Sequence, residues 1–149
     1  MNEPPSPSPS PSPSGETGDP DFSTPQIVIL ASAVLLVFCS FLPWWEFGSG
    51  DFSVSQNAWE SFPLFVWPMI FGLIAGLYVL SITVAKGLNL PDLPFGFTWV
   101  QGLVVCGLIA VLETLAFVIG ADQQAIGAYL SFLAAIGLLV GAVMMVNEA

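Results

Sequence analysis

Residues 97–120 read FTWVQGLVVCGLIAVLETLAFVIG, an apolar run interrupted by a single charged side chain, Glu113. A helix needs about 20 such residues to cross a hydrocarbon core roughly 30 Å thick. Three further runs of the same kind lie at about 26–45, 61–84 and 124–146. Lipid offers no partner to a free backbone N–H or C=O, so segments like these must satisfy their hydrogen bonds internally, as helices. Four of them predict an all-α fold, an integral membrane four-helix bundle, over residues 26–149.

Composition agrees. Of 149 residues, 55% are apolar and 8% charged, and the mean hydropathy is +0.84. So few charges cannot cover that much apolar side chain in water. Eleven acids stand against one base, Lys86, for a formal charge of −10. Nucleic acid and anionic headgroups both call for a basic surface, so neither is expected as a partner. The chain has no histidine, which removes Ser-His and Cys-His catalysis and most zinc chemistry. Cys39 and Cys106 lie apart inside apolar runs with no CxxC, as buried thiols do. Leu36-Val-Phe-Cys39 places Phe38 where a lipoprotein cleavage box needs a small residue. No enzyme, cofactor or metal site is expected.

Residues 1–25 are of another kind. Proline alternates with serine from Pro5 to Ser14, followed by Gly15, Gly18 and Pro20. Prolines that cannot donate, with almost nothing apolar beside them, predict a disordered or polyproline tail. It contains no Lys or Arg, whereas a cleaved signal needs a positive start. The first run therefore reads as a retained span.

Trp44, Trp45, Trp67 and Trp99 fall near predicted span ends, where amphipathic rings favour the headgroup level. Between the first two spans, Phe52-Ser-Val-Ser55 alternates apolar and polar residues, the period of a short strand or hairpin lying on the bundle. A tight turn is expected around Ala121-Asp-Gln123. Lys86 assigns its loop to the cytoplasm by the positive-inside rule. A cell-membrane protein with both termini cytoplasmic follows, and the Trp59 loop then lies outside.

Small residues recur at helical spacing. Gly72 and Gly76 share a face with Pro68 and Thr83, while Gly137 and Gly141 share one with Ala134. Such stripes let backbones approach in lipid, where the hydrophobic drive between helices is missing. They predict seams inside one bundle or, alternatively, faces for other membrane proteins or a second copy. Pro68 is expected to kink the second helix. Glu113 shares a stripe with Gly102, Cys106, Ile109, Ala116 and Gly120 at 100° per residue, which predicts that it faces other helices. An acid placed there is expensive and marks a functional candidate. Its alternatives are a proton or cation site, or a neutral carboxyl hydrogen-bonded to Ser, Thr or a carbonyl.

Phe41-Leu-Pro-Trp-Trp45 and Asn57-Ala-Trp59 around the first loop resemble elements of small four-span membrane proteins of high-GC Gram-positive bacteria and their phages. The resemblance covers about residues 27–146. It implies a plasma-membrane location and assigns no reaction. Function is thus expected to be that of a non-enzymatic interaction or structural component, the alternative being a proton- or ion-coupled transporter subunit built on Glu113.

Overall fold

The computed structural model describes residues 21–48, 52–60, 66–85, 90–91, 93–120 and 123–148. Most of the proline/serine tail, Lys86 and the Ala121-Asp122 turn lie outside them. Four helices dominate the described residues: α1 (Thr24–Cys39), α2 (Trp67–Val84), α3 (Trp99–Gly120) and α4 (Ile126–Glu148). A two-stranded antiparallel sheet, β1 (Pro43–Phe47) with β2 (Val54–Asn57), separates α1 from α2. The fold is therefore mostly but not wholly helical, and the alternation at 52–55 does mark a hairpin.

Local chemistry explains where the elements start. Ser23 N–H donates to Gln26 Oε1 at 2.9 Å, and Pro25 occupies the first turn of α1, where its missing N–H costs nothing. Thr24 and Pro25 thus belong to the first helix instead of the tail. Thr98 and Gln101 cap α3 reciprocally, at 3.1 and 3.3 Å, so Phe97 stays outside the helix. Pro68 lies in the first turn of α2. It initiates that helix and does not kink it.

The first span ends earlier than the apolar run suggests. Residues 40–42 tighten into a turn, with Phe41 N–H on Phe38 O and Leu42 N–H on Cys39 O, both at 3.2 Å. Pro43 cannot donate to another turn. Trp44 and Trp45, expected to close a helix reaching residue 45, are in strand β1. At 16 residues α1 is the shortest of these four α-helices, while α2, α3 and α4 are each long and apolar enough to cross a membrane.

The helices form a ring in which each packs on its chain neighbours, α1 also packs on α4, and α2 touches α4 across the centre. Neighbours run antiparallel. Gly72 lies by Leu36 and Gly76 by Ala33; on the other side Gly141 lies by Ile29 and Gly137 by Ser32. The α1–α4 alignment continues beyond the helices, where Ala125 N–H donates to Trp44 O at 2.8 Å and Trp45 bridges Gln124.

Apolar side chains fill the interior and cover the exterior as well. Small residues fill much of the interior, including Ala33, Ala75, Ala110, Ala134, Ala135 and Ala142. Bulky ones point outward, such as Val34 (69% exposed), Leu112 (56%), Ile119 (75%) and Leu133 (61%). Large side chains are inside as well, Ile29, Leu36, Met69 and Leu138 among them, so it is the bulky apolar exterior, costly in water and tolerated in lipid, that fits a membrane protein.

Candidate functional site

The most elaborate construction lies at one end of the bundle, where the first loop closes on the end of α1. Asn57 Oδ1 accepts from the N–H groups of Trp59 (2.9 Å) and Glu60 (3.0 Å), and Glu60 Oε2 accepts from Asn57 N–H at 2.9 Å. This reciprocal arrangement is a capping box. It presents Ala58, which is fully buried and donates its N–H to Ser40 O at 3.3 Å. Trp59 Nε1 donates to Ser40 Oγ at 2.8 Å, and that hydroxyl donates to Val37 O. Ser40 thus ties the loop to the last turn of α1. The Leu-Pro-Trp and Asn-Ala-Trp elements are the two halves of one clasp.

Trp44 is the plug beneath the clasp. It is 1% exposed, donates its Nε1–H to Cys39 O at 3.0 Å and lies 5.3 Å from the Phe117 ring. The pairing of β1 with β2 slips between Pro43 and Trp45. Such a slip turns consecutive side chains out of strict alternation, and Trp45 also reaches Phe117, edge-on at 4.9 Å. Gly127 makes room for the plug: a Cβ there would lie 2.6 Å from Pro43 O and 2.9 Å from Trp44 Cδ1. Of the four tryptophans expected at the headgroup level, Trp44 is therefore buried and Trp45 partly so. Trp67 is exposed, and Trp99 stacks on Tyr78 at 5.7 Å while donating to Pro91 O at 2.9 Å.

Outside this braced interior, Phe41 and Trp59 are exposed with ring centroids 6.2 Å apart. Phe47, Phe52 and Val54 are exposed on the hairpin.

All four candidate glycines face α1. A Cβ at Gly72 would approach Leu36 Cδ1 at 3.0 Å; at Gly76, Ala33 Cβ at 3.1 Å; at Gly141, Ile29 Cγ1 at 2.8 Å. At Gly137 it would collide with Ser32 Oγ. The two stripes meet one helix along adjoining parts of its inward face. Gly107, which the sequence reading missed, plays the same part between α3 and α4, where a Cβ would lie 2.9 Å from Leu139 Cα.

Glu113 does not lie on the buried stripe of α3. That stripe is Leu103, Gly107, Ala110, Thr114 and Phe117, one residue, or about 100°, further round. Of the expected stripe, Ala116 and Gly120 are exposed and the rest half-buried. Glu113 sits on the flank. Its Oε2 is nevertheless buried with no hydrogen-bond partner among the described residues, so this oxygen makes no bond to Ser, Thr or a carbonyl there. The neighbouring Thr114 hydroxyl donates to Ala110 O at 2.7 Å in its own helix. Thr83 Oγ1 is likewise buried without a partner among those residues. Among them, too, no three Cys, Asp or Glu side chains gather as a metal site would require. No protein-family model, curated protein or solved structure matches the chain.

Proposed function

We propose that the chain is a non-enzymatic, multi-pass component of the cell membrane that works by associating with other membrane proteins through the clasped end of its bundle. The observation supporting this reading is the exposed Phe41–Trp59 pair, fixed from beneath by the Ser40 hydroxyl. Rigid aromatic anchors over a braced base are what binding hot spots use. The glycine stripes, the other candidate association faces, are occupied by α1. In this reading α1 is a fourth crossing, both termini are cytoplasmic and the clasp faces outward, following Lys86. A photo-crosslinking residue at Phe41 in native membranes should capture a discrete protein, and Trp59→Ala should abolish the adduct. Lipid adducts alone would overturn the reading.

Glu113 supports a second reading, a proton- or ion-coupled transporter subunit. A buried carboxyl oxygen without a partner is costly, and Glu113 Oε2 has no hydrogen bond among the described residues. Glu113→Gln should then fold normally and abolish pH-dependent flux in liposomes, while Glu113→Leu should match or exceed the native stability. If Glu113→Gln leaves flux intact, or if Glu113→Leu unfolds the protein, the residue is structural.

A further inference from the structure

We propose that the β1–β2 hairpin is a membrane-interface element whose Trp45–Phe47–Val54 face lies in the headgroup region of the bilayer that the helices span; this rests on the membrane reading above. The cross-strand pairs are Trp45 with Gln56, Glu46 with Ser55 and Phe47 with Val54. Paired residues share a face and alternate residues along a strand do too. One face therefore carries Trp45, Phe47, Val54 and Gln56, and the opposite face carries Glu46 and Ser55. Phe47, Val54, Glu46 and Ser55 are all exposed. The hairpin is amphipathic, with a bare apolar side.

Its level in the molecule says what covers that side. The 16 residues of α1 span about 24 Å and the 22 of α3 about 33 Å. The strand β1 continues along the path that α1 leaves. Glu46 N–H donates to Gln123 O at 3.3 Å and Trp45 bridges Gln124, which puts the hairpin beside the α3–α4 connection, at the membrane boundary. Non-helical backbone is tolerated at such depth where protein satisfies it, and β1 bonds on one side to β2 and on the other to 123–124. Trp45 contacts Phe117 in the last turns of α3 and lies 6.4 Å from Phe47. Trp45 is thus seated on the buried stripe of α3, while Phe47 and Val54 carry the apolar face outward from it. Phe52, 88% exposed, extends that face. Aromatic and branched side chains at that level suit the headgroup zone.

The full chain, reconstituted in phosphatidylcholine vesicles, carries one environment-sensitive fluorescent amino acid at position 46, 47, 54, 55 or 112. All five positions are exposed or outward-facing, so the fold tolerates the probe. Probes replacing Phe47 and Val54 should be quenched by lipids brominated high on the acyl chain and shielded from iodide. Probes replacing Glu46 and Ser55 should show the reverse. Iodide quenching at all four, with bromolipid quenching kept at Leu112, would overturn the hairpin's placement and leave the membrane reading standing. Shielding of 47 and 54 from both quenchers would mean that protein covers the face, which also overturns it. Loss of bromolipid quenching at Leu112 would remove the membrane reading and the inference together.

Discussion

Ser40 and Trp44 show how much of the clasp depends on single polar contacts made by mostly apolar residues. Trp44 combines burial, the Phe117 contact and a bond to the Cys39 carbonyl, which also accepts from Leu42 N–H at the end of α1. Trp44→Ala should therefore cost about 3–5 kcal/mol, the usual range for emptying a buried aromatic site. Trp44→Phe keeps a ring and leaves the Cys39 carbonyl its bond from Leu42 N–H, so it should cost only about 0.5–1.5 kcal/mol for the one hydrogen bond lost. Thermal unfolding in mild detergent measures both, and equal small losses would show that Trp44 is no plug. At this scale the sequence was partly legible. Ser23-x-x-Gln26 and Thr98-x-x-Gln101 are capping-box signatures that mark the starts of α1 and α3, while Asn57-x-x-Glu60 closes a turn in the first loop. The position of Glu113 is not legible from spacing: small residues suggest the inward face of α3, whereas Gly102, Ala116 and Gly120 lie on its flank or outside.

Between elements, glycine decides how near α1 may come to its neighbours. Gly72→Leu or Gly141→Leu would push into Leu36 or Ile29, and overpacking of this kind costs about 1–3 kcal/mol. Ile74 is exposed on the far side of α2, so Ile74→Leu should change stability by less than about 0.5 kcal/mol. Equal tolerance at all three positions, read as melting temperature, would refute the seams. Both stripes could be read from spacing, but not that they close on the same helix, since spacing carries no information about partners. The second, third and fourth helices were legible because apolar length alone specifies a span. The end of the first was not, because Leu42, Trp44 and Trp45 are as apolar as the helix before them while Pro43 and the Trp44 indole turn the chain into a strand.

At the scale of the whole molecule, the bulky apolar exterior of the helices connects composition to placement. Alanine and glycine let helices approach inside, and valine, leucine and isoleucine meet lipid outside. The central claim is that α1, though only 16 residues long, crosses the bilayer with β1 completing its path. This separates a four-span bundle from a three-span one with a helix lying alongside. Single cysteines placed at Asp21, Ser53 and Asn147, in a chain lacking Cys39 and Cys106, test it directly when a membrane-impermeant thiol reagent is applied to intact cells. Labelling at Ser53 alone, with Asp21 and Asn147 reacting only after permeabilisation, is the predicted result. Labelling of Asp21 and Ser53 from the same side would contradict it.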